Sequence, residues 1–253
     1  MTDEADRIVL ANVNKSYVTP PVYVVRNFSL SIRRGEFFCL IGPSGCGKST
    51  VLKLIAGIEA PTSGSVRRPP RIGMVFQSYA LLPWLTVEAN VAFAARMAGF
   101  ANEKVKSLTR SYLKMVHLEH FADRYPRELS GGQRQRVGLA RALSVEPDVL
   151  LMDEPFSALD PLMVEELHAD VLRIWNVTKK TIVLVSHHFE EAVLLADRIG
   201  VMRDGRLEEV IDIDLPRPRS ENQENFGREM RRLKACASGT AAGSRKTLRK
   251  SAG

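Results

Sequence analysis

Apolar positions along this chain follow two spacings. Alternation over Ile8–Tyr17 and Phe28–Ile32 predicts strands with one covered face, an antiparallel part at the N-terminal end. Phe37–Ile41 (FFCLI) is apolar at every position, which predicts a strand covered on both sides. Val149–Asp153 and Thr181–Ser186 read the same way, and Ile72–Phe76 is a shorter strand. Helical patterns lie between them. They run over Lys48–Ala56, closed by Gly57, from about Gly131 to Leu143, over Pro161–Trp175 and over Phe189–Ala196. Pro161 suits a first helical turn. Two short strands flank Asp204–Gly205, a tight-turn pair. Strands alternating with helices predict an α/β domain. Val87–Tyr125 differs, being Ala- and Leu-rich and without strand runs, and reads as a helical subdomain inserted into that core. Past Pro216 the core is complete. Glu221–Cys236 fits one amphipathic helix, and Ser238–Gly253 is expected to be disordered.

Length and charge narrow the picture. A chain of 253 residues suits one large domain, or a domain with a small subdomain, and its core needs no disulfide staples. Cys39, Cys46 and Cys236 are an odd, scattered set without metal-ligand spacing, so a reducing compartment is expected. The N-terminus lacks a signal-peptide pattern, and no run of about 18 apolar residues predicts a membrane span. The net charge of +7 suggests nucleic acid until it is located. Residues 226–253 hold eight basic residues and one acid, and residues 1–225 hold 28 of each. The basic character belongs to the tail, and no nucleic-acid partner is expected.

The chemistry begins after the FFCLI strand. Gly42-Pro43-Ser44-Gly45-Cys46-Gly47-Lys48-Ser49-Thr50 fits GxxxxGK followed by Ser, between a predicted strand and a predicted helix, the context that motif requires. Glycines let successive N–H groups curl around an anion, and a helix N-terminus adds partial positive charge. Lys48 is expected to reach the β- and γ-phosphates as a point charge, and the Ser49 hydroxyl to ligate Mg²⁺. Cys46 reads either as a small residue that fits the loop or as a reactive thiol whose pKa the same positive field lowers.

Asp153 and Glu154 end a strand of apolar residues, where open α/β sheets keep their ligands. Consecutive residues of an extended chain face opposite ways. Asp153 is therefore assigned to Mg²⁺ through a water, and Glu154 to the attacking water as general base. His187 ends the next strand and is placed to sense a γ-phosphate. His117, His120 and His168 are read as structural. Leu129-Ser130-Gly131-Gly132-Gln133 opens another helix with a second array of backbone donors. Two phosphate-binding elements imply two sites per chain, or one site shared between two chains. The second is natural for a C2 dimer.

In order and approximate spacing, GPSGCGKST, Gln77, LSGGQRQRV, LLMDEP, SALD at Ser157–Asp160 and His187 resemble the ATP-binding subunits of ABC transporters. The resemblance covers roughly residues 6–220. It implies a P-loop NTPase core with an N-terminal antiparallel β part and an inserted helical subdomain at about 87–130, followed by a helix and basic tail over 221–253. It implies Tyr17 stacked on adenine, Gln77 touching Mg²⁺ and linking the core to the subdomain, and His187 as the switch histidine. Ser130, Gly131, Gly132 and Gln133 would cap the ATP of the opposite subunit, and Asp160 would communicate across the dimer. His188 stands where aspartate is frequent.

Function follows from the resemblance. Two copies would close on two ATP molecules with Mg²⁺ and reopen after hydrolysis, driving a separate transmembrane permease. Tyr79, Leu81, Leu82 and Trp84 are expected to form an exposed apolar patch for that partner. LLPWLTVEANVAF and Asp214-Leu-Pro-Arg-Pro-Arg219 look like the nitrate/sulfonate/taurine importer family, which also involves a periplasmic solute-binding protein. That places the chain at the cytoplasmic face of a bacterial inner membrane, energising uptake of a small anion or organosulfonate. The alternatives are a separate-subunit exporter and a soluble, non-transport ABC ATPase. About 50 residues between Gln77 and Ser130, without a heptad run, argue against the last.

Overall fold

The computed structural model describes residues 8–219 and 224–238. Of the predicted tail over Ser238–Gly253, Ser238 ends a helix and the rest lies outside the described residues, as does the start of the predicted C-terminal helix. The chain divides into two compact units. Among described residues, one comprises Ile8–Ile32, Glu36–Arg67 and the segment from Val185 onward, and the other comprises Arg33–Gly35 and Arg68–Leu184.

The first unit contains the expected antiparallel part. β1 (Ile8–Ser16) lies between β2 (Tyr23–Ile32) and β4 (Ser63–Arg67). Ile8, Leu10 and Val13 of β1 are buried, a set that changes parity between Leu10 and Val13. The register shifts at that place, and Asn12 takes a left-handed φ of 50°. An extra residue there keeps the apolar face turned inward. β4 escapes the sequence pattern because SGSVR carries no apolar alternation and is mostly exposed. β2 begins five residues before the predicted Phe28.

A second sheet region in this unit has the order β3 (Phe37–Ile41), β8 (Arg198–Arg203), β9 (Arg206–Asp212). β3 runs parallel to β8, and β8–β9 is a hairpin whose turn, Asp204–Gly205, has φ of 47° and 80°. Both central residues are left-handed, as the favoured two-residue hairpin demands. α1 (Lys48–Ala56) leaves β3 through the glycine loop and ends at left-handed Gly57. α6 (Phe189–Leu195) and α7 (Glu224–Ser238) complete the unit, α7 burying Phe226, Met230 and Leu233 at helical spacing. Arg219, from the Pro-Arg-Pro-Arg segment, is 8% exposed and donates to the carbonyls of Val193 (2.7 Å) and Ala196 (2.6 Å) at the end of α6. Burial lowers its pKa to about 10.

In the second unit the strands run β5 (Ile72–Val75), β6 (Val149–Asp153), β7 (Thr181–Ser186), whose last two residues belong to the first unit. β5 and β6 are parallel. α2 (Val87–Met97), α3 (Asn102–Met115) and two 3₁₀ turns, Glu119–Phe121 and Pro126–Glu128, form the expected helical stretch. α4 (Gly131–Leu143) and α5 (Pro161–Thr178) follow, α5 running three residues past its predicted end to left-handed Lys179. Fully buried Asn90 holds the α2 entry. It accepts the Leu82 N–H (2.8 Å) and donates to the carbonyls of Leu82, Leu85 and Thr86.

Candidate functional site

The phosphate-loop residues Gly42–Thr50 join β3 to α1. Gly47 precedes α1 with φ 103°, and a Cβ there would lie 2.8 Å from the Val24 carbonyl and 3.0 Å from Met202. At Gly42 a Cβ would collide with the Met202 carbonyl. The loop rests against backbone that cannot give way, so both positions require glycine. No side chain caps α1, which leaves its first-turn N–H groups to the loop. Lys48 is 4% exposed and curls back, its Nζ donating to the carbonyls of Gly42 (2.8 Å) and Pro43 (3.0 Å). A charge so withdrawn from water acts strongly on an anion in the loop.

The structure decides between the two readings of Cys46. The Cys46 pKa is raised, because burial outweighs the opposing pull of Lys48 and of the loop N–H groups. The thiol is the small buried filler, and the lowering of the other reading does not occur. Pro43, Ser44 and Gly45 are partly or wholly exposed along the rim. In the same unit Tyr17 is 52% exposed just past β1, with the Lys15 ammonium 4.7 Å from its ring centroid. His187 is exposed directly after Ser186, its ring 4.0 Å from that of His188.

The other unit collects the remaining residues. Asp153 is the last residue of β6 and half-buried. Glu154 is not extended but left-handed, with φ 45°. The two acids are therefore parted by a sharp turn, and not by the strand alternation expected from the sequence; such backbone strain is held by its surroundings. Gln77 Nε2 donates to Ser157 Oγ (3.2 Å), and that hydroxyl donates to the Glu154 carbonyl (3.0 Å). Gln77 is thus tied to the Glu154 turn through Ser157, whose linking role the sequence reading missed. The SALD position beside the acid pair was the available signal.

At the start of α4, Ser130 Oγ accepts the Gln133 N–H (3.2 Å), while Gln133 Oε1 accepts the Ser130 N–H (2.9 Å). This is a closed capping box. A Cβ on Gly131 would meet Leu159 at 3.3 Å and the Tyr79 hydroxyl at 3.4 Å, and one on Gly132 would meet Met163 Sδ at 2.9 Å. Asp160 caps α5 by accepting the Met163 N–H (3.1 Å). The structure thereby brings Asp160 and the Ser130–Gln133 motif together at Met163.

The expected apolar patch is reorganised. Trp84 is 70% exposed, but Tyr79, Leu81 and Leu82 are half-buried. Tyr79 turns toward α4, with Arg134 5.4 Å from its ring, and Arg141 donates to the carbonyls of Tyr79 (3.0 Å) and Ala80 (2.6 Å). Of the four, Leu82 lines a groove of about 840 Å³ together with Met74, Phe93, Met97 and Phe100.

The model of the family described as "ABC transporter" matches residues 25–157. The chain belongs to the ABC transporter family. It is an ATP-hydrolysing subunit of that family. This ABC subunit is 42% identical over 227 residues to the bicarbonate transport ATP-binding protein CmpD of Synechococcus elongatus, covering 84% of this chain and 82% of that protein. It is 40% identical over 222 residues to the nitrate import ATP-binding protein NrtD of the same organism, covering 82% and 81%. The ATP-binding cassette MJ0796, solved as a dimer in a post-hydrolysis state with ADP and Pi, matches at TM-score 0.73 and 33% identity, covering 83% of this chain and all of that one.

The residues fit the family's ligands. The glycine cradle with its inward lysine suits a polyphosphate. Ser49, Gln77 and Asp153 are hydroxyl, amide and carboxylate donors of the hard oxygen type that Mg²⁺ takes. Among the described residues no group of three or more His, Cys, Asp or Glu is placed to hold a metal alone. Mg²⁺ completed by phosphate oxygens and water needs only one or two protein ligands.

Proposed function

We propose that this ABC ATPase energises uptake of a small anion or organosulfonate through separate transmembrane permease subunits, lying peripherally at the cytoplasmic face of a bacterial inner membrane. The observation that carries the import reading is the likeness, over four fifths of the chain, to subunits named for bicarbonate transport and nitrate import. Among the described residues no helix is long and apolar enough to cross a membrane, so the pathway for the solute is assigned to other chains. The apolar groove beside Leu82, with exposed Trp84 near it in sequence, is the surface assigned to the permease. A periplasmic solute-binding protein completes the proposed system.

Each site residue has a proposed role. Gly42–Thr50 surround the β- and γ-phosphates, with Lys48 as the point charge, and Tyr17 stacks on adenine. Ser49, Gln77 and Asp153 hold Mg²⁺, which supplies neutralisation of phosphate charge when bound. Glu154 takes the proton of the attacking water, and His187 contacts the γ-phosphate. Ser130, Gly131, Gly132, Gln133 and Asp160 act in trans from a second copy, because a closed cap still offers first-turn N–H groups to an outside anion. Residues 6–220 are the cassette, with the helical subdomain at about 87–130, and 221–253 are an appended helix and tail.

The test is co-purification with the cognate permease and measurement of ATP hydrolysis against added solutes. Nitrate, bicarbonate, taurine or an alkanesulfonate, presented with the binding protein, is expected to stimulate hydrolysis. Stimulation only by a solute presented from the ATP side contradicts import.

A further inference from the structure

The turn that carries His187 is held by a directed chain of hydrogen bonds. The His188 N–H donates to Ser186 Oγ at 2.9 Å. Ser186 has one hydroxyl proton, and it goes to Glu191 Oε2 at 2.6 Å. That length is short for a hydroxyl–carboxyl bond. Ser186 is 2% exposed and Glu191 9% exposed, so water competes little for either bond. The two bonds span residues 186 to 191. They tie the end of β7 to the first turn of α6 across the exposed His187.

Glu191 also acts on the phosphate-loop strand. Its charge and that of Lys48 act with opposite sign on the buried Cys39 thiol of β3. Glu191 is buried on α6, the helix that packs on β3. A carboxylate is costly to bury on a seven-residue helix. A hydrophobic residue would pack there without that cost.

We infer that Glu191, acting through Ser186, is a positioning residue for His187, holding it at the angle from which it meets the γ-phosphate. This rests on the proposed role of His187. The carboxylate orients the Ser186 hydroxyl, the hydroxyl oxygen orients the His188 peptide, and the peptide sets the imidazole. Neither Glu191 nor Ser186 touches the nucleotide in this scheme.

A double-mutant cycle on the full-length chain tests it, with kcat and KM for ATP measured separately. Glu191→Ala and Ser186→Ala are each expected to lower kcat roughly 10- to 100-fold while KM stays within about twofold. Glu191→Gln and Ser186→Thr keep the acceptor and the hydroxyl and should recover most of the rate. In a His187→Ala background, neither alanine variant should lower kcat further. If either costs the same factor with and without His187, the residue is merely structural and the inference is overturned. If His187→Ala keeps the parent kcat, the role of His187 falls and the inference falls with it. Should Glu191→Ala fail to fold, Ser186→Ala carries the cycle alone.

Discussion

The phosphate loop and the start of α4 are both glycine-rich turns into a helix, and they solve the problem of an open helix end in opposite ways. Before α1 no side chain caps the helix, and Lys48 turns back onto the loop carbonyls. Before α4 the end is closed by the Ser130–Gln133 box. The glycines differ too. Gly47 is left-handed and meets immovable backbone, whereas Gly132 meets the tip of a methionine. One end is an open, glycine-lined helix start with a lysine folded into it. The other is a capped helix start, close-fitting to Leu159 and Met163.

The widest separation between the two ends is expected with Glu154→Gln. Hydrolysis should fall about 10²- to 10⁴-fold while ATP binding persists, and an ATP-dependent dimer should accumulate by light scattering. Adding Ser130→Ala should abolish that dimer without abolishing ATP binding. A dimer that survives the second change removes the trans role of the α4 end. Lys48→Ala comes next, with an expected 10- to 100-fold loss of ATP affinity by calorimetry, about 1.5–3 kcal/mol for a charge-assisted contact. An unchanged affinity would show that the cradle is not the primary binding end.

Smaller effects sharpen the glycine contrast. Gly47→Ala should destabilise the fold by about 1–3 kcal/mol and weaken ATP binding. Gly132→Ala should cost under about 1 kcal/mol, since Met163 can move. Equal costs in thermal unfolding would contradict the distinction drawn between the two walls. Ser130→Ala alone should lower stability by about 1 kcal/mol, the worth of one cap, read as a small drop in Tm of the nucleotide-free chain.

Much of this molecule was legible along the chain. β3, β6 and β7 are apolar at nearly every position, and α1 and α4 are announced by their glycine turns, so their bounds come out as expected. β4 was not legible, because a mostly exposed edge strand of Ser, Gly, Arg and a single Val needs no apolar period. The apolar run around Tyr79 reads as surface, although Tyr79 turns inward onto α4. Its burial depends on Arg134 and Arg141, more than fifty residues away in sequence.

The site shows the same division. The residue types of the phosphate loop, the acid pair and the LSGGQ motif depend on spacing within a few residues, and short-range geometry made their chemistry readable from the sequence alone. The left-handed turn at Glu154, the raised thiol of Cys46, the Gln77–Ser157 link and the Ser186–Glu191 tie were decided only by tertiary structure. Each depends on burial or on a partner brought in by folding. Burial reversed the field argument at Cys46, and backbone strain replaced strand alternation at Glu154, because desolvation and packing are properties of the folded neighbourhood and leave no period in the chain.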